Sequence, residues 1–91
     1  DYPSPEREAA TLCRRLPGIS AAFAKDIAVF VEKVRRVKLC HVPGLAEVLD
    51  WAQVLWELGI GDLNDPEVQK TYHFLAKSRE DLAVLTEIPI K

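Results

Sequence analysis

Cys13, Cys40, His41 and His73 are the residues of this chain best suited to hold a transition metal. Together they make up the ligand set of a structural zinc site, but zinc modules keep their ligands in close pairs. Here only Cys40 and His41 are neighbours, so the spacing matches no common module. The reading is instead two reduced, buried thiols acting as small core hydrophobes, and two partly exposed histidines. The glycines at 18, 44, 59 and 61 belong to no phosphate-binding loop. No serine or cysteine lies in a nucleophile motif. The chain by itself is therefore no phosphate-loop nucleotide hydrolase.

Two further stretches bear on binding. Tyr2-Pro3 reads as an entry strand or hinge, because proline biases the residue before it toward extended backbone. Pro43-Gly44 opens a helix whose free N–H groups could face an anion. Glu47 and Asp50 would repel that anion, so simple capping is the expectation there.

Charge is uneven. Residues 1–42 carry eight Lys/Arg against five Asp/Glu, a net of +3, and residues 43–91 carry four against nine, a net of −5. Arg14-Arg15 and Arg35-Arg36-Val37-Lys38 could touch nucleic acid, but no helix-turn-helix is visible and the whole chain is acidic. The expectation is no nucleic-acid partner and no membrane, since no apolar run approaches the roughly 18–20 residues of a span. Two cysteines without paired spacing and no signal peptide point to the cytoplasm. The opening Asp-Tyr-Pro-Ser-Pro, without methionine, fits a segment of a longer protein as well as a processed one.

Ninety-one residues suit a single domain. Its elements read as all-α, a small bundle of about five helices. Ser4-Pro5-Glu6 starts the first, with Ala9, Leu12, Cys13 and Leu16 inward and Pro17-Gly18 as the stop. Ser20 caps a second helix to about Val37 or Lys38; Phe23, Ile27, Phe30, Val31, Val34 and Val37 face inward, with Lys25, Glu32, Lys33, Arg35 and Arg36 mostly opposite. The third runs from Pro43-Gly44 to Gly59. Its apolar residues cover about half the circumference, wider than one neighbour needs. Trp51 and Trp56 fall near the margins of that arc, and Trp56 is expected to be buried. Glu47, Asp50, Gln53 and Glu57 make its polar stripe. Asp65-Pro66-Glu67 and Ser78-Arg79-Glu80-Asp81 begin two more helices, with Val68, Tyr72, Leu75, Leu82 and Leu85 inward. Ile88 to Ile90 could pair with something outside the chain.

The segment "PGLAEVLDWAQVLWELG" closely resembles the third-helix signature of the lid subdomain in MoxR-type AAA+ ATPases, approximately Pro-Gly-x-Ala-Glu-x-Leu-Asp-Trp-Ala. "DYPSPEREAATLCRRLPGIS" resembles that family's junction and first lid helix, "FVEKVRRVKLCHVPG" its second helix and turn, and "FLAKSREDL" its closing stretch. The resemblance implies a junction at 1–3 with an upstream ATPase core, a helical lid over 4–88 and a tail at 89–91. It implies ATP and Mg in the full-length protein, held by that core. Implied partners are the core itself, neighbouring subunits of a ring, usually a hexamer, and a protein carrying a von Willebrand factor A domain. The resemblance also implies chaperone-like activation of a client. Many AAA+ lids place a phosphate-sensing arginine at the start of the third helix, whereas no Arg or Lys lies between His41 and Trp51 here. Tyr2 and Pro3 are then the expected adenine contacts, and Gly44 and Glu47 the expected lid–core contacts. Trp51, beside Asp50, would meet the upstream core. A free-standing helical interaction module using the acidic stripe, or a basic-faced nucleic-acid binder, are the alternatives.

Overall fold

Capping side chains set the helix starts. The hydroxyl of Ser4 accepts from the Arg7 N–H at 3.3 Å, that of Ser20 from Phe23 at 3.0 Å, and that of Ser78 from Asp81 at 3.1 Å. The Asp65 carboxylate accepts from Glu67 at 2.9 Å. Each bond satisfies a first-turn donor that has no partner within its helix. In the computed structural model, which describes residues 2–90, these starts open α1 (Pro5–Arg15), α2 (Ala21–Arg36), a 3-10 helix (Pro66–Phe74) and α4 (Arg79–Glu87), with α3 (Leu45–Glu57) between α2 and the 3-10 helix. The protein is all-α, with five helices and no strand among the described residues.

The end of α3 is equally specific. Gly59 takes φ +75°, the left-handed conformation that glycine adopts without penalty. Its N–H donates to Trp56 O at 3.0 Å and the Ile60 N–H reaches back to Leu55 O at 2.9 Å. That pair of bonds is a Schellman motif, and it turns the buried Ile60 back onto the core.

The core gathers Leu12 from α1, Phe23, Ile27, Phe30, Val31 and Val34 from α2, and Val48, Trp51, Ala52 and Leu55 from α3. Val68, Tyr72, Leu75 and Leu85 close it from the C-terminal half. At its centre the rings of Phe30, Trp51 and Tyr72 lie 5.7–6.1 Å apart. Trp51 Nε1–H donates to Thr71 Oγ1 at 2.7 Å, and the Thr71 hydroxyl donates onward to Val68 O at 2.6 Å. A buried indole N–H needs such a partner, and this one pins α3 to the 3-10 helix.

Several expectations are corrected. Trp51 is 0% exposed within this chain's own core and has no face left for another domain. Trp56, expected inside, is 48% exposed. The inward stripe of α3 is Val48, Trp51, Ala52 and Leu55, spaced at three and four residues. Trp56 lies about 100° beyond Leu55, outside that stripe. Its indole rests on the Gly18 backbone, where a Cβ would come within 2.6 Å of the ring. α2 ends at Arg36, one or two residues before the expected Val37 or Lys38, with Val37 already extended. Both cysteines are free thiols, Cys13 half-buried and Cys40 exposed, so Cys40 is no core residue. Both histidines are exposed, in keeping with the sequence expectation. Ile88 and Ile90 pack against the bundle itself.

Trp51→Ala should cost about 3–5 kcal/mol, the range for emptying a buried aromatic site. Trp56→Ala should cost clearly less, because half of that ring is already wet. Urea denaturation of the two variants against the parent chain measures both.

Candidate functional site

Two charged residues lie where the apolar pattern gives no place for them. Glu8 stands four residues before Leu12 and Arg35 four residues after Val31, so helical geometry turns both toward the α1–α2 seam. There they form a bidentate pair, Arg35 Nη1 to Glu8 Oε1 at 2.8 Å and Nη2 to Oε2 at 2.9 Å. The Arg35 and Glu8 side chains are 7% and 1% exposed. The same guanidinium donates from Nε to Pro43 O at 3.1 Å and lies 4.1 Å from the centroid of the Tyr2 ring. One side chain thus joins the N-terminal segment, α1, α2 and the residue before Gly44.

The α2–α3 loop, residues 37–44, is held at three places by charge. Arg35 holds Pro43. The Asp81 carboxylate, in the first turn of α4, accepts from the backbone N–H groups of Cys40 at 2.8 Å and His41 at 3.0 Å. Glu47 Oε1 accepts from the Gly44 N–H at 2.7 Å. That last bond is half of a capping box, the half in which the N-cap residue donates its backbone N–H and which a glycine can therefore still make. Both carboxylates are held below the usual carboxylate range. For Asp81 the Cys40 N–H is the chief cause, and for Glu47 the Gly44 N–H is. Burial opposes each shift without cancelling it.

The four residues expected at a site fall into one network. Tyr2 and Pro3 line an open cleft of about 520 Å³ together with Glu8, Glu32, Arg35 and Arg36. Tyr2 is 51% exposed, with Arg35 against its ring. Gly44 and Glu47 are linked to that cleft through Pro43 and Arg35. Glu47 is occupied as a cap. Glu8, Arg35 and Asp81 are the members the sequence pattern misses; it puts Arg35 on the outer face of α2. A charge at i±4 from a buried apolar residue was the available signal for the first two. The described residues contain no group of three or more His, Cys, Asp or Glu that could hold a metal ion. No described helix is long and apolar enough to cross a membrane.

Comparison with protein-family models, with curated proteins and with solved structures finds no match.

Removing one partner of a buried pair leaves the other charge dry, so Arg35→Ala should destabilise by about 3–5 kcal/mol. Arg35→Lys should recover only part of this, since an ammonium cannot serve Glu8 bidentately and Pro43 together. Chemical denaturation of the two variants checks the order. Acid supplies a second test. A carboxylate whose folded pKa is depressed stabilises the fold above its unfolded value near 4, and that contribution fades as pH falls through the folded pKa. Helicity followed from pH 7 to pH 2 should therefore fall in the acid range. Asp81→Asn should lower stability at neutral pH and flatten the pH dependence below about pH 4.

Proposed function

We propose that this chain is the helical lid subdomain of a MoxR-type AAA+ ATPase, joined at residues 1–3 to a nucleotide-binding core. The observation that carries the reading is the segment Pro43 to Ala52, in which the lid signature coincides with a working structural device. Glu47 closes on the Gly44 N–H and starts the helix. A glutamate used in this way accounts for its presence where many other lids carry a phosphate-sensing arginine. The Tyr2–Arg35–Pro43 chain of contacts also favours a lid. A body that turns on a hinge must grip the chain entering it, or the movement dissipates in the linker.

In this reading the upstream core holds ATP and Mg, and Tyr2 and Pro3 face the adenine side of the nucleotide. Gly44 and Glu47 sit at the lid–core boundary. The lid transmits hydrolysis-driven movement to neighbouring subunits of a ring, a hexamer by resemblance, for chaperone-like activation of a client in the cytoplasm. A von Willebrand factor A domain protein is the expected partner. The alternative, a free-standing interaction module, draws on one specific observation: Trp56 and Leu58 stand exposed on either side of Glu57.

The two readings separate on the coding frame. A phosphate loop should be encoded in frame upstream of Asp1; a start codon immediately before Asp1 would sink the lid assignment. The purified chain should show a helical spectrum and no specific ATP turnover. Turnover abolished by a substitution within these residues would equally overturn it.

A further inference from the structure

The last turn of α3 combines two features that the chain itself leaves unanswered. Trp56 and Leu58 are 48% and 61% exposed, although each is large and apolar. Between them Glu57 stands at the negative end of the helix dipole, with no basic residue in the turn to offset it. Glu57 accepts a 3.3 Å hydrogen bond from Gln53 and forms no ion pair among the described residues. Arg15 lines a neighbouring cleft with Asp50 and Gln53 but makes no ion pair there either. Beside the indole a cleft of about 270 Å³ opens between Gly18, Phe23, Gly59 and Ile60, with room for one apolar side chain.

We propose that this end of α3 is a docking surface for a basic amphipathic segment of a partner protein. An apolar side chain of that segment fills the cleft beside Gly18. An arginine or lysine next to it meets the Glu57 carboxylate, the carbonyl end of α3 and the open face of the Trp56 indole. Cations are attracted by all three: by the carboxylate, by the helix C-terminus and by an aromatic face. A basic partner is the occupant because the turn exposes apolar surface and its one formal charge is the Glu57 carboxylate, which attracts a cation and repels an acid. The half of the chain containing this turn carries the net charge of −5. The proposal holds whether the chain is a lid or a free module.

The two tryptophans make the test direct. Trp51 is dry, so a change in emission on binding reports Trp56. The probe is a short synthetic helix with leucine on one face and arginine on the other. Its titration should shift the emission to the blue and saturate. Glu57→Lys should weaken the binding by about tenfold while making α3 slightly more stable, so the loss is no unfolding artefact. Glu87→Lys makes the same charge change in the last turn of α4 and should leave the affinity within about threefold. Equal weakening by both reversals, equal binding of a leucine–glutamate helix, or no blue shift would each overturn the proposal. A blue shift on concentrating the chain alone would overturn it in favour of a second copy as the occupant.

Discussion

A carboxylate and a guanidinium withdrawn from water, those of Glu8 and Arg35, set the terms for the N-terminal half of this bundle. Neither charge could be buried alone. Together they meet in bidentate geometry, and the remaining donor capacity of the guanidinium goes to Pro43 O and to the face of Tyr2. The seam between α1 and α2 is therefore fixed in register by a contact that tolerates little displacement, where an all-apolar seam could slide. The entry of the chain and the approach to α3 inherit that register.

The start of α3 is positioned by a loop with no regular structure of its own. Residues 37–44 are tied down by Asp81 from one side, Arg35 from another and Glu47 from the helix they introduce. Each anchor sets a formal charge against backbone dipoles, which strengthens the bond relative to a neutral pair. Asp81 thereby joins α4, last in the chain, to the connection between α2 and α3. Since α4 begins more than forty residues after that loop starts, this is one of the few polar contacts that close the topology over a long separation.

Helix content and most of the core were legible in the sequence because spacing and caps report them locally. Ser4, Ser20, Asp65 and Ser78 are N-caps, and Phe23, Ile27, Phe30, Val31 and Val34 are buried as their spacing requires. Gly59 does end α3 in the left-handed conformation. What periodicity could not supply was the choice within a broad apolar arc. On α3 it could not tell Trp51 from Trp56, since that depends on whether the facing surface offers a pocket or, as Gly18 does, a flat floor. Nor could it reveal Glu8 and Arg35, whose burial is possible only because the partner lies on another helix. Tyr2, Pro3, Gly44 and Glu47 are the positions the sequence reading offers, and the Arg35 side chain links Tyr2 to Pro43, next to Gly44. Periodicity puts Arg35 on the outer face of α2, because a basic residue reads as solvated, whereas its guanidinium lies in the α1–α2 seam against Glu8.

The Thr71 hydroxyl has a consequence for what this position can tolerate. It is an acceptor toward Trp51 and a donor toward Val68 in the same dry space. Valine has nearly the same shape but would leave the indole hydrogen stranded, and alanine would add a void. Serine keeps both roles and gives up a methyl. Position 71 is thus restricted by chemistry more tightly than by volume: two amino acids satisfy it, and the central tryptophan is secure only in their company.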